Sequence, residues 1–273
     1  MYSKVGLAIS DLHVGSRSGV MPEGFLSSNE EIIDLNVGQR YLNECLADML
    51  TVIPKKLDFI FVNGDALHGI NRKEVAVGVC EPDMSYQVNA ASIVLAPFVE
   101  RADKVFFTKG SGYHSGRDSV WSNVLAKDMG AEKAPDGSFA PYWWHINVDG
   151  VNIDLAHTQS VMMRYPATAL QREMQFSTEV ADVMENGQAD AIIRSHIHRC
   201  IVIHIDGRIG VSTPAMQLQT VYAKKSKVPN RWLSRYIGAV LIKIRKEEYS
   251  LRQPRMEIEP ILYKHPKIRG ISI

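Results

Sequence analysis

Val5-Gly6-Leu7-Ala8-Ile9 is an apolar run that stops at Ser10-Asp11-Leu12-His13, and this join of apolar segment to polar turn decides the fold. A short continuous apolar run closed by a turn reads as a buried strand. The same unit recurs along the chain. Asp58-Phe59-Ile60-Phe61-Val62 runs into Asn63-Gly64-Asp65, and Lys104-Val105-Phe106-Phe107-Thr108 runs into Lys109-Gly110. Val151-Asn152-Ile153-Asp154-Leu155 precedes Ala156-His157, and Ala191-Ile192-Ile193 precedes Arg194-Ser195-His196. Each strand delivers a polar or glycine-containing turn that leads to Asp or His.

Helical spacing fills the intervals. Residues 37–50 place Tyr41, Leu42, Cys45, Leu46 and Met49 on one face, with Pro54 beyond the end. Residues 85–101 form a second helical stretch, which Pro97 is expected to kink or shorten. Residues 119–129 are a third, ending at Gly130, and a fourth follows Pro166 and runs to about Asn186-Gly187. The tail changes character. Residues 201–205, Asp206-Gly207 and residues 208–212 read as a hairpin with a type I′ turn. Residues 236–245 and 249–258 read as another strand pair around Lys246-Glu247-Glu248. Strands alternating with helices, followed by strands alone, favour an α/β sandwich of two sheets over an open doubly wound sheet.

The 273 residues suffice for one large α/β domain, and the reading is a single domain over 1–273. Its motifs occupy about 5–200, with a β-rich basic segment over about 200–273. A hydrophobic fraction of 45% with 22% charged residues excludes a disordered chain. Cys45, Cys80 and Cys200 are far apart and form no CxxC pair, against a disulfide framework or a thiolate metal site. That suits a reducing, cytoplasmic setting. The first apolar stretch is too short for a signal segment, and no apolar run approaches ~20 residues, so no membrane partner is expected. The net charge of +1 hides an asymmetry: from residue 221 onward 13 Lys and Arg face 4 Asp and Glu. Such a tail is either a solvated face, at Lys243, Arg245 and Lys246, or a surface that meets a polyanion.

The polar strand ends form one set: Asp11, His13, Asp65, His114, His157, His196 and His198. Asp and His suit hard-to-borderline divalent ions such as Mn, Fe, Zn or Ni. In an extended segment residues i and i+2 point the same way, so Asp11 with His13, and His196 with His198, would each send two side chains to one place. Neighbouring strands lie about 5 Å apart, so their ends can converge on metals. A purely structural metal site is the competing reading, although closed structural zinc more typically uses Cys.

The ordered series Asp11-x-His13, Gly64-Asp65, a glycine-containing turn ending at His114, His157, and Ser195-His196-x-His198 resembles the five-block signature of calcineurin-like metallophosphoesterases. The resemblance implies an α/β fold with a four-layer α/β/β/α sandwich of two mixed β-sheets flanked by helices. It also implies two divalent metal ions, Mn foremost. By position, Asp11, His13 and His198 would hold one ion, His157 and His196 the other, and Asp65 would bridge. His114 matches the family's catalytic, non-ligand His, which acts on the leaving-group oxygen or the phosphate.

One block departs from the pattern. The family has Gly-Asn-His, whereas this chain reads Lys109-Gly110-Ser111-Gly112-Tyr113-His114, with no Asn before the His. Either Ser111 ligates, directly or through water, or the second metal has one protein ligand fewer. Phosphoesterases of phage and prophage type alter this block similarly, and the resemblance is to them. What it implies is hydrolysis of phosphoesters, with phosphodiesters of nucleic acid or nucleotides as the expected substrate. The alternatives are a phosphomonoesterase or protein phosphatase, and a catalytically silent scaffold; silent relatives lose motif histidines that this chain keeps.

Other residues beside the motifs have a default surface or core role. Arg17, Lys109, Arg164 and Arg199 are candidates for holding a substrate phosphate. His68 is expected to hydrogen-bond a ligand rather than to be one. Tyr142-Trp143-Trp144 is expected to pack on a strand, with base stacking as the alternative. Met162-Met163 is read as core filling.

Overall fold

The computed structural model describes residues 2–70, 78–114, 120–158, 165–184, 187–220, 234–245 and 255–266. Chain order is β1 (Lys4–Ile9), α1 (Val37–Val52), β2 (Leu57–Asn63), α2 (Met84–Val99), β3 (Ala102–Thr108) and α3 (Val120–Asp128). Then come β4 (Trp143–Val148), β5 (Val151–Ala156), α4 (Pro166–Glu179), β6 (Ala191–Arg194), β7 (Ile201–Ile205), β8 (Arg208–Ser212), β9 (Tyr236–Ile244) and β10 (Met256–Lys264). The strands form two mixed five-stranded sheets, ordered β10-β9-β1-β2-β3 and β4-β5-β6-β8-β7. In the first, β1, β2 and β3 are parallel; in the second, β5, β6 and β8 are.

Alternation along each strand sorts the core into layers. Leu7, Ile9, Ile60, Val62 and Phe107 face the helices, packing with Leu42 of α1, Leu95 of α2 and Leu125 of α3. Their neighbours Ala8, Phe59, Phe61 and Phe106 face the second sheet and meet Trp144, Ile153, Leu155, Ile193 and Val211. On the far side Met174 of α4 packs with Ala189 and Ile192. The result is a four-layer α/β/β/α sandwich. Among the described residues, no helix is long and apolar enough to cross a membrane.

Local chemistry explains most element ends. Asn36 caps α1 in a reciprocal capping box with Gln39. Asp83 caps α2, and Pro97 lies in its last turn, where the helix runs on only to Val99. The β7–β8 turn at Asp206 and Gly207 has φ of 50° and 79°, as a type I′ turn requires. Two boundaries differ from expectation. The fourth helix stops at Glu179, not near residue 187. Val180 and Val183 are exposed, and the chain goes on only as a single 3-10 turn, Ala181–Val183. The described partner of β9 is Met256–Lys264, which shares 256–258 with the expected 249–258 and runs on to 264. Pro260 is tolerated because β10 is an edge strand. Lys246-Glu247-Glu248 and residues 249–254 of the expected strand lie outside the described residues.

Candidate metal centre

The turns after β1, β2, β5 and β6 converge where the parallel strands of both sheets end. Two groups of ligand-type side chains meet there: Asp11, His13 and His198, and Asp65, His157 and His196. In each group the ligand atoms lie within 4.8 Å of one another. His198 Nε2 is 3.2 Å from Asp11 Oδ1, and His13 Nε2 is 3.9 Å from the same oxygen. His157 Nε2 is 3.0 Å from Asp65 Oδ2, and His196 Nδ1 is 3.8 Å from it. His157 also joins the groups, because its Nε2 lies 3.9 Å from Asp11 Oδ1.

The side chains do not converge by the extended i, i+2 geometry expected from the sequence. Asp11, His13, Asp65, His196 and His198 have φ of 51°, 47°, 46°, 69° and 54°. They occupy the left-handed region, where Asp and His are several-fold enriched among non-glycine residues. Each such residue costs on the order of 1–3 kcal/mol, which persists only where surroundings hold it. Two glycines are part of that hold. A Cβ on Gly64, itself at φ 74°, would lie 2.4 Å from the His157 ring, and one on Gly110 would lie 2.2 Å from Asp65 Oδ1.

Behind the ligand-type side chains runs a buried polar chain that the sequence reading missed. Thr108 donates to Asn63 Oδ1 at 2.7 Å, and Asn63 Nδ2 donates to Ser195 Oγ at 2.6 Å and to the Ala156 carbonyl at 3.0 Å. Ser195 Oγ contacts Thr213 Oγ1 at 2.8 Å, which contacts Ser10 Oγ at 2.7 Å. The chain ties the ends of β1, β2 and β3 to those of β5, β6 and β8. Its signal was visible: a small polar residue follows or ends nearly every motif strand.

The charges explain themselves from their neighbours. Burial pushes the carboxyls of Asp11 and Asp65 up, but the surrounding histidines outweigh it, and both sit below their ordinary values. For Asp11 these are His198 and His157; for Asp65, His157 and His114. Burial works against protonation of His157, yet Asp65 and Asp11 raise it to about 9. Burial, then His114, holds His13 well below its ordinary value, and the same pair of causes takes His68 down to about 3.

These residues fit divalent cations by their own bonding. Asp11 Oδ1, both ring nitrogens of His13 and His157 Nε2 are buried without a hydrogen bond, although other polar atoms stand 3–4 Å away. Buried ligand-type atoms that lie within 4.8 Å of one another and lack hydrogen bonds are what a ligand set requires. His157 Nδ1 donates to the Asn63 carbonyl at 2.8 Å, the arrangement that orients a metal-binding imidazole.

His114 stands with this site rather than in either group. Its Nδ1 contacts the His68 carbonyl at 2.7 Å, and its ring lies 4.4 Å from that of His13. His68 departs from expectation: its ring makes no hydrogen bond, and the link to His114 comes from its main chain. In the altered glycine block Ser111 serves Asp65, donating its N–H to Oδ1 at 2.7 Å with its hydroxyl 3.2 Å from Oδ2. Arg17 is exposed; Lys109 Nζ lies 4.2 Å from the centre of the Tyr142 ring. Trp144 is buried with its Nε1 on the Phe107 carbonyl, whereas Tyr142 and Trp143 are exposed. Arg199 is half-buried, and Arg164, Met162 and Met163 lie outside the described residues.

No family model and no curated protein matches this chain. Solved structures with a similar course include a single mutant of Vps29 from Entamoeba histolytica, at 14% identity and TM-score 0.47, covering 95% of this chain and 99% of that one. A novel archaeal phosphodiesterase matches at 8% identity and TM-score 0.45, over 94% and 99% of the two chains. A predicted phosphoesterase from Streptococcus pneumoniae matches at 11% and 0.38, over 96% and 99%.

Proposed function

We propose that this chain hydrolyses phosphoesters, with two divalent cations held by Asp11, His13 and His198 on one side and His157 and His196 on the other, and Asp65 between them. One observation carries this reading: two Asp–His groups, each with a buried Asp and a buried His, adjoin through His157, 3.0 Å from Asp65 and 3.9 Å from Asp11, and Asp11 Oδ1, both ring nitrogens of His13 and His157 Nε2 have no hydrogen-bond partner. Cations bound there would lower the pKa of an attacking water and neutralise charge on both oxygens of an in-line displacement at phosphorus. The other parts belong to the chain. Ser111 holds the Asp65 carboxylate in place. The His68 carbonyl fixes the His114 proton on Nδ1, so Nε2 is the atom that exchanges a proton with the leaving-group oxygen.

Within this reading the substrate is a phosphodiester of nucleic acid or a nucleotide, and manganese is the first metal to test. The basic excess beyond residue 221 supports a polyanion. Lys224, Lys225 and Lys227, at the start of that excess, lie outside the described residues. The free cysteines support a reducing, cytoplasmic setting, and the Ser111 block supports the phage-type subfamily. The test is a panel with Mn²⁺: an aryl phosphodiester, an aryl monoester, and single- and double-stranded DNA. Cleavage of the diester and DNA above the monoester is expected. Preference for the monoester would move the phosphatase reading ahead, and no turnover of any substrate would favour a silent scaffold.

A further inference from the structure

His13 belongs to a second cluster besides the one it shares with Asp11. His13, His68 and His114 offer ring nitrogens that all lie within 4.8 Å of one another. Their ring centres are 4.4 Å apart for His13–His114, 5.3 Å for His68–His114 and 5.7 Å for His13–His68. In the Asp-containing groups the same measure is 5.3 Å for His13–His198 and 5.2 Å for His157–His196. Imidazoles bound to one zinc-class ion at about 2.0–2.1 Å have ring centres about 5 Å apart, so all these spacings fit.

Bonding points the same way. Both ring nitrogens of His68 and both of His13 lack a partner, at 1% and 2% exposure. The Asp11 group accounts for one nitrogen of His13 and none of His68. On His114 the carbonyl of His68 can only accept, so Nδ1 carries the proton and the neutral ring leaves a lone pair on Nε2. The cluster is also held rigidly, since the His68 N–H donates to the Val14 carbonyl at 2.8 Å.

We propose that His13, His68 and His114 form a further cation position, selective for a borderline divalent ion of the zinc class. Three imidazole rings without a carboxylate suit zinc, cobalt or nickel and disfavour manganese, whereas the two Asp-containing groups accept either kind. His13 serves both positions through its two ring nitrogens as an imidazolate, so binding of the further ion releases the remaining His13 N–H proton to solvent. An ion here takes the Nε2 lone pair of His114. If the proposed hydrolysis holds, zinc in excess therefore inhibits by withdrawing the group that handles the leaving-group proton; the cation position itself does not depend on that reaction.

The experiment counts metal per chain by mass spectrometry in protein saturated with Mn²⁺ or with Zn²⁺, for the native chain and for His68→Gln. The native chain is expected to hold two manganese ions but three zinc ions, and His68→Gln two of either. Because zinc also fills the two Asp-containing groups, the rates are compared with both proteins saturated with zinc: the native chain should turn over about 10²-fold or more slowly than His68→Gln, the worth of a positioned proton-transfer group. A native chain that holds only two zinc ions overturns the proposal, whether or not the variant folds; so does a variant that still holds three. Should the counts come out as expected with no phosphoester cleaved under any metal, the proposed function fails and the cation position stands.

Discussion

The main-chain carbonyl of Asn63 and the ring of His157 share one hydrogen bond, 2.8 Å from Nδ1, and it sets the state of the whole centre. A carbonyl cannot donate, so the Nδ1 proton is fixed and Nε2 faces Asp65 Oδ2 at 3.0 Å. Without a cation, that nitrogen is stable beside a carboxylate only when protonated, which is why His157 is raised to about 9.

Metal and proton therefore compete for one atom. Below pH 9 each ion bound at His157 releases a proton, so affinity should rise about tenfold per pH unit and level off above about 9. Calorimetry of Mn²⁺ binding in buffers of different ionisation enthalpy counts that proton. The sign for stability is opposite. His157 is raised above its ordinary 6.5, so its contribution to the metal-free fold is present below 6.5 and lost as pH rises toward 9. Metal-free protein should melt at lower temperature at pH 9 than at pH 6.5; an unchanged midpoint would show His157 neutral throughout.

Asp65→Ala should be the most damaging ligand change, because Asp65 is proposed to bridge both ions. Protein recovered after desalting should retain neither manganese ion tightly. Retention of both would place the bridge elsewhere, and Asp11, whose Oδ1 lies within 3.9 Å of His13, His157 and His198, would be the residue to test next.

His114→Ala should keep the manganese content and lose about 10²–10⁴-fold in the chemical step, the range for a positioned acid or base. The loss should shrink for a leaving group that needs no proton. Loss of manganese in this variant would make His114 a ligand of one of the two Asp-containing groups.

Asn63→Ala should act through the polar chain behind the site. It leaves Thr108, Ser195 and the Ala156 carbonyl without Asn63 as partner, at about 1–3 kcal/mol for a buried unsatisfied group. A fall in the thermal midpoint together with weaker manganese binding is expected. A midpoint equal to that of the native chain would mean the chain of hydroxyls repacks freely.

The sandwich and the meeting of Asp11, His13, Asp65, His157, His196 and His198 were legible because strand-end placement is a one-dimensional signal. How they meet was not. Gly64 leaves room for the His157 ring and Gly110 for the left-handed Asp65, close approaches between distant segments that no local spacing records. Asn63, Ser195 and Thr213 were missed for the same reason, since a small polar residue at a strand end declares its partner only in three dimensions. Ser111 shows the converse: the missing Asn was plain in the sequence, but its hydrogen bond to Asp65 was not. Helix α4 ran short because propensity alone cannot show that Val180 and Val183 stand exposed, where the helix tightens into one 3-10 turn.

The central claim is that divalent cations at the Asp–His groups drive phosphoester hydrolysis, and metal depletion tests it most directly. Chelator-stripped protein, assayed on an aryl phosphodiester before and after reloading with Mn²⁺, should be inactive and then recover, with two ions bound per chain at full rate. Full-rate hydrolysis by stripped protein, or two ions restored with no hydrolysis, would contradict it.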